Sequence, residues 1–423
     1  MNRVICYPNC CVPTNFDDDA WYFELFSYPE YRSENIGFTG AALFKELRKA
    51  QITPTETVLD FVIIALSVVS ADKAVLRSKS PDGWTREIEL TVYLHEVDKW
   101  NAVKDKIEWM LRFLTGDFWS LNILELPKSL MLIKSYPKRK GDCICLLSGG
   151  VDSLVGAIDL SEANRIPVFV SQIVRGDAEH QRDFAHCFGE DNLCQWSCHI
   201  KKSGVSENST RARSIVFFAY ALLASCGISP GKNGRKEIFV PENGFISLNT
   251  PLDSSRIGSL STKTTHPIYM ASLQDIWNNV GIDVDLVLPY KYKTKGEVLK
   301  ECKNQELLIK TVFDSTSCGK FQRHGLRHCG TCVPCLVRRA AFLKADLPDK
   351  TVKGYKVEDI KYAQSKDVAA AAMAVLQKEQ YGIESVVKSS LSFANSEERK
   401  KFLGVVSRGI DELRELLRKQ GII

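Results

Sequence analysis

Residues 145–157 read CLLSGGVDSLVGA. An apolar run enters a serine, two adjacent glycines and an Asp-Ser pair, then continues into residues that suit a helix. A buried strand that turns sharply into a helix is the opening half of a β-α-β unit. Such units build parallel sheets covered on both faces. The pattern continues. Residues 143–147, 166–173, 237–240 and 284–288 read as strands, and residues 152–160, 211–225 and 273–280 as helices. The fold class expected is therefore α/β, with a doubly wound parallel sheet whose ligands bind at the carboxyl ends of the strands.

Gly149 and Gly150 let the backbone turn and approach a ligand with no Cβ in the way. The helix after them presents unpaired N–H groups and the positive end of its dipole. Ser148 and Ser153 add hydroxyl donors. Together these make an anion site suited to the polyphosphate of a nucleotide. No Gly-Lys-Ser/Thr follows, so it is not a Walker A loop, and no G-x-G-x-x-G is present. The plainer alternative is a capped helix after a tight turn.

A second constellation lies at residues 315–342, STSCGKFQRHGLRHCGTCVPCLVRRAAF. Cys318, Cys329, Cys332 and Cys335 are spaced C-x10-C-x2-C-x2-C. Two overlapping C-x2-C steps place three thiolates on one loop, and Cys318 returns as the fourth corner of a tetrahedron. Four thiolates suit a structural Zn²⁺ with no open position for water. An iron–sulfur cluster is the other cofactor this set could hold. His324 and His328 are read as bystanders. Most of the other ten of the fourteen cysteines are read as buried thiols of a reducing compartment; the Cys6, Cys10 and Cys11 cluster could instead bind a metal, but no fourth ligand follows at a suitable spacing.

Residues 1–140 read as an N-terminal α+β module. Residues 58–69 are apolar all round, Ile88, Leu90, Val92 and Leu94 alternate with polar residues as in a half-buried strand, residues 103–114 follow helical spacing up to Gly116, and residues 119–126 read as another strand. The Pro-Lys-Arg-Lys-Gly run at 137–141 marks a boundary and is read as a solvated linker. The expected domains are 1–140, the α/β domain at 141–317, the four-cysteine segment at 318–345 and a helical region at 346–423. The net charge of +5 is mild and no basic block is present, so no nucleic-acid partner is expected. The most apolar run, residues 61–69, is too short to span a bilayer. The N-terminus has no apolar signal core. A cytoplasmic location without membrane contact is the expectation.

Ser148-Gly149-Gly150-Val151-Asp152-Ser153 resembles the PP-loop of the ATP pyrophosphatases, whose sheet is of the adenine nucleotide α hydrolase-like type. That resemblance implies ATP held with its pyrophosphate in the turn and cleaved between the α and β phosphates. With the cysteine set and Arg338-Arg339-Ala340-Ala341-Phe342, the chain is similar to the 7-cyano-7-deazaguanine synthases, the QueC family. Arg213-Ser214-Ile215-Val216-Phe217 resembles that family's R-N-x-x-F, and Pro289 followed by Lys295-Gly296-Glu297 its P-x5-K-A-E. The resemblance covers residues 141–345.

The resemblance implies adenylation of 7-carboxy-7-deazaguanine and attack of an amine on the acyl group. Asp152, Arg213 and Lys295 become the candidate catalytic residues: Lys295 and Arg213 to offset phosphate charge, Asp152 to help hold Mg²⁺. The base-pocket stretch D-x-S-G-Y-P-D-C-R of the family is replaced here by residues 240–267, with Glu242, Asn243, Arg256 and His266 as candidate substrate contacts. The long layout, with N-G-F-I-S-L-N and S-T-K-T-T-H-P, resembles the QueC-like proteins of Qat anti-phage operons (QatC). That implies a C–N ligase in antiviral defence that passes a deazapurine acyl group to a partner protein of the same operon. The competing readings are a housekeeping nitrile synthase, a PP-loop tRNA-modifying enzyme using Cys226 or Cys302, and a non-catalytic nucleotide sensor.

Overall fold

In the computed structural model, the described residues are 1–30, 33–127, 130, 135–189, 192–231, 233–253 and 263–423. Two five-stranded sheets organise the chain. The first contains β1 (Asn2–Pro8), β2 (Ala20–Leu25), β3 (Ile36–Thr39), β4 (Glu87–Leu94) and β5 (Phe118–Glu125), in the order β3-β2-β1-β4-β5. The second contains β6 (Cys143–Leu146), β7 (Pro167–Gln172), β8 (Leu193–Trp196), β9 (Lys236–Phe239) and β10 (Val284–Val287), in the order β10-β9-β6-β7-β8. Every paired strand in both sheets runs parallel to its neighbour. Numbered within itself, each sheet reads 3-2-1-4-5.

The parallel first sheet corrects the expected α+β module: residues 1–125 are α/β. β1 is its central strand, yet β1 to β3 are absent from the sequence reading. The described residues of their links, within 9–19 and 26–35, contain no α-helix, so no change of hydrophobic period marks the strands. Helices α1 (Leu43–Lys49), α2 (Glu56–Ala74), α3 (Val97–Asn101) and α4 (Lys104–Thr115) complete this half. α2 is buried at nearly every position because it lies between β2 and β4 on one side and a helix of the second half on the other. That burial is why its sequence is apolar all round.

The second half holds α5 (Val151–Glu162), α6 (Ala178–His186), α7 (Ser214–Ser225), α8 (Gly244–Leu248), α9 (Pro267–Asn279), α10 (Lys295–Lys300) and α11 (Gln305–Thr311). α7 packs on β6 and β7 and against α2, while α9 packs on β10 and against α4. The layers are thus sheet, helices, helices, sheet, with one apolar core running from Val4 to Val284. α7 begins three residues later than its apolar pattern. Asp72 Oδ2 of α2 accepts the N–H groups of Arg211 (2.7 Å) and Ala212 (2.8 Å), which fixes the chain before it can coil.

α5 and α6 cover the other face of the second sheet. Beyond them lie α12 (Val333–Lys344), α13 (Lys366–Tyr381), α14 (Ile383–Val387) and α15 (Ser396–Lys419), around a separate core of Leu336, Ala371, Phe402 and Leu413. The segment before β6 is exposed at Pro137, Lys138 and Lys140, as a solvated linker would be, and is also tied back to the second half. Lys138 Nζ donates to the Cys226 carbonyl (2.6 Å), and the Arg139 N–H to that of Gly227 (2.8 Å). No helix among the described residues is long and apolar enough to cross a membrane.

Candidate functional site

The second sheet reverses its strand order between β6 and β9. At such a reversal the chain leaves the two strands in opposite directions and opens a crevice at their carboxyl ends. The segment after β6 is the Ser148–Ser153 turn, and the segment after β9 is Pro241-Glu242-Asn243.

The turn depends on Gly149, whose φ of +88° lies in the region that disfavours a Cβ. Ser153 Oγ accepts the Ser148 N–H (3.2 Å) and lies 3.1 Å from Ser148 Oγ and 3.0 Å from the Gly150 carbonyl. Outer contacts hold the carbonyls. The Thr316 N–H donates to the Gly149 carbonyl (2.9 Å), and Gln181 Nε2 to that of Ser148 (3.2 Å). Gly150, the N-cap of α5, offers no side chain to the first-turn amides of the helix. The carbonyls are thereby tied back, and the first turn of α5 is left uncapped by protein side chains, the arrangement an anion requires.

Asp152, Lys295, Asn243 and Glu242 meet beside this turn. Lys295 Nζ lies 2.5 Å from Asp152 Oδ2, and both side chains are buried. Asn243 Nδ2 donates to Asp152 Oδ2 (2.9 Å) and to Glu242 Oε1 (3.1 Å), while its Oδ1 accepts the Ile246 N–H (3.0 Å) and caps α8. Lys295 is the first residue of α10, fixed there by a capping box between Thr294 and Glu297. α5 can approach β9's exit because Gly156 faces Pro241, where a Cβ would come within 2.4 Å of the proline ring.

Burial pushes the Asp152 carboxyl up, but the Lys295 charge and the hydrogen bonds it receives bring it below its ordinary value. Burial, and then the Asp152 charge, hold the Glu242 carboxyl well above the usual carboxylate range. Asp152 Oδ1 is buried and has no hydrogen-bond partner among the described residues. The cluster therefore places the Lys295 side chain and two carboxyl groups, Asp152 and Glu242, within reach of one another.

Arg213 is exposed just before α7. Asp177, whose Cβ lies 3.6 Å from where a Cβ on Gly149 would stand, is held above its ordinary value chiefly by burial, while Thr316, His180 and, least, Arg213 act the other way. His266 lies apart from this cluster. It caps α9, with Nδ1 accepting the Ile268 N–H (3.2 Å), and its ring packs against Phe113 and Phe393. Burial, then the Lys263 charge, depress its pKa to about 4. Arg256 lies outside the described residues.

The four cysteines are buried, with all four Sγ atoms within 4.8 Å of one another. Cys318 and Cys332 Sγ are 3.9 Å apart, and Cys329 and Cys335 Sγ 3.8 Å. A tetrahedral zinc with Zn–S bonds of about 2.3 Å needs sulfur pairs roughly 3.8 Å apart, so the set fits such a metal. Backbone N–H groups of Lys320 and Cys329 donate to Cys318 Sγ, and that of Cys332 to Cys329 Sγ, each at 3.3 Å. Such donors stabilise thiolate charge. His328 Nε2 accepts the Ser317 N–H (3.2 Å), which engages that lone pair.

The segment between metal knuckle and glycine turn contains residues that the sequence reading leaves without a role. Arg338 is fully buried and grips it, donating to Ser315 Oγ (2.8 Å), Ser317 Oγ (3.3 Å) and the Val312 carbonyl (3.2 Å). Thr316, two residues before Cys318, latches Gly149. Arg338 is visible in sequence within the Arg-Arg-Ala-Ala-Phe match, but its contacts are not. Gln181 and Thr316 carry no local signal.

Comparison with protein-family models, curated proteins and solved structures finds no match to the chain.

Proposed function

We propose that the chain is an ATP-dependent C–N ligase that adenylates a carboxylate and transfers the acyl group to an amine. One observation carries the reading: a glycine turn with tied-back carbonyls and an uncapped helix start lies at the strand-order reversal of a parallel sheet, beside a buried Lys295–Asp152 pair. The turn is the S-G-G-x-D-S stretch whose likeness to the PP-loop pyrophosphatases suggests the nucleotide. A carboxylate oxygen attacks the α-phosphorus, pyrophosphate leaves, the amine then attacks the acyl carbon, and AMP leaves with the original carboxylate oxygen.

In this reading the amides of the turn hold the pyrophosphate, and Lys295 and Arg213 offset charge on the phosphates. Asp152 Oδ1 and Glu242 are the oxygens that would hold Mg²⁺, which supplies further neutralisation of the phosphates. Asn243 orients both carboxyl groups. The substrate favoured by the QueC-like motifs is 7-carboxy-7-deazaguanine or a related deazapurine, and the amine that of a partner protein in a Qat-type defence operon.

A persulfide-carrying tRNA-modifying enzyme fits less well. Burial pushes the Cys302 thiol up to about 11 and raises that of Cys226, where a reactive cysteine needs the opposite. The test is pyrophosphate release with ATP and a panel of carboxylates, 7-carboxy-7-deazaguanine first, with and without operon partners, read together with intact partner masses. Release that depends on the carboxylate, with a mass gain on one partner, is the expected result. ATP binding without release identifies a sensor instead, and nitrile formation without a mass gain identifies the housekeeping chemistry.

A further inference from the structure

A cavity of about 470 Å³ lies where the first half, α8 and the loop before α15 meet. That volume suits a small organic ligand. Its wall includes Arg211, Lys263 and Thr250, with rings from Trp84, Phe113 and Phe393.

Arg211 is the unusual group. It is 9% exposed, and its Nε and Nη2 have no hydrogen-bond partner among the described residues. Only Nη1 is bonded, to the Thr115 carbonyl at 3.0 Å. Two other guanidinium groups lie close by, and they take the nearby buried carboxylates. Arg77 pairs with Asp117 at 2.7 Å, and Arg86 with Asp117 and Asp72 at 2.6 Å each. The remaining Asp72 oxygen accepts backbone N–H groups. Glu207, on the outer side, is held by the backbone N–H groups of Arg77 and Ser209. Three guanidiniums therefore share two buried carboxylates, and Arg211 is left to face the cavity without an anion. A buried cation is normally paired.

The rest of the wall matches one kind of partner. Lys263 Nζ is bonded to the Phe113 carbonyl (3.1 Å), and burial and the Arg211 charge both lower its pKa, the mutual cost of two cations that an anion would relieve. Thr250 Oγ1 is a further buried hydroxyl with no hydrogen-bond partner among the described residues. The His266 ring stands between Phe113 and Phe393, with centroids 5.1 and 5.2 Å away. Because its Nδ1 accepts a backbone N–H, its proton sits on Nε2. The Arg211 guanidinium lies over the Trp84 ring, 4.7 Å from its centroid, and Lys263 Nζ over the Phe113 ring at 4.1 Å, so each cation already has an aromatic neighbour but no anion among the described residues.

We propose that this cavity is a binding site for a small planar aromatic anion, its charged group on Arg211 and Lys263 and its ring between Trp84 and the Phe113–Phe393 side. The anion could be an aromatic carboxylate or the phosphate of a mononucleotide, which share this chemistry. The site does not depend on the nucleotide reading of the glycine turn.

The test is calorimetric titration of the full chain with indole-3-carboxylate, guanosine 5′-monophosphate and inorganic phosphate. One ring-bearing anion binds at one per chain, more tightly than phosphate, and which one identifies the source. Arg211→Gln weakens it roughly 10-fold or more, the usual loss for a charged hydrogen-bonded contact. Thr250→Val, which keeps every Arg211 contact, weakens it by a smaller factor and serves if the first variant misfolds. Failure of both ring anions to bind, equal affinity for bare phosphate, or unchanged affinity in Arg211→Gln and Thr250→Val would each overturn the proposal. Pyrophosphate release is read separately, so loss of this site and loss of the ligase reading are distinguishable.

Discussion

The two sheets have the same strand order and the same parallel pairing, yet their switch points differ. In the second sheet the crevice between β6 and β9 is rimmed by the glycine turn, with its helix start left uncapped. In the first sheet the corresponding crevice lies between β1 and β4, and the carboxylate beside its β4 exit is fully engaged by the protein. Asp60 of α2 accepts the N–H of His95 (2.9 Å), His95 Nδ1–H (2.6 Å), the N–H of Glu96 (3.0 Å) and Trp100 Nε1–H (3.0 Å). β1 exits into a short 3-10 turn, Asn9–Cys11, instead of an α-helix. Topology thus supplies a place for a ligand, and the side chains at the strand ends decide whether one can enter.

The sharpest way to break this contrast is at the metal knuckle, which supports only the second rim. Cys332→Ser should abolish stoichiometric zinc and cost several kcal/mol of stability, since metal binding to such sites is folding free energy. Hydrogen exchange at Gly149 and Gly150 should accelerate through the Thr316 latch, while β1 and β4 amides stay protected. Equal acceleration in both sheets would show that the knuckle is a global staple and not a rim support.

Next in size is Lys295→Met. It leaves Asp152 buried without its cation, and about 3–5 kcal/mol should be lost in denaturant titration. Adding Asp152→Asn should recover much of that stability, but not pyrophosphate release. Recovery of release by the double variant would remove Lys295 from the chemistry.

On the first sheet's rim, Asp60→Asn replaces a four-donor acceptor by a group with one oxygen. A loss of about 1–3 kcal/mol is expected, with ATP affinity unchanged. A change in ATP affinity would mean that the two rims communicate.

The smallest effect concerns Glu412 of α15, which accepts the Thr294 hydroxyl and the Gly296 N–H (3.3 Å) at the start of α10. Burial pushes this carboxyl up to about 7. The folded chain keeps the proton over a range where the unfolded chain has released it. Stability should therefore fall, on the order of 1 kcal/mol, as pH rises from about 5 to about 7. Glu412→Gln should flatten that part of the pH–stability curve, and an unchanged slope would assign it to another group.

Much of the second sheet was legible because its strands and helices alternate in hydrophobic period and its turn carries glycines and hydroxyls in a row. The first sheet was half legible. β4 and β5 flank a helix with a clear stripe and a Gly116 stop, whereas β1, β2 and β3 are joined by links with no period to read. In the candidate site, Asp152 and Lys295 could be singled out through the motifs that contain them. Gln181, Thr316 and Asp177 could not, because they act through contacts with segments distant in sequence.

By itself the sequence determined the local devices: a glycine at the left-handed position of the turn, and four thiols at a spacing that closes on a metal. These are local properties, set by backbone conformation and ligand spacing within a few residues. Only the tertiary structure decided which charges are paired. Asp152 finds Lys295 across 143 residues, Asp72 holds the Arg211 backbone across 139, and the Arg211 guanidinium is left facing a cavity because nearer arginines already occupy the carboxylates. Pairing of buried charges is a matter of which side chains share a low-dielectric interior, and packing alone settles that.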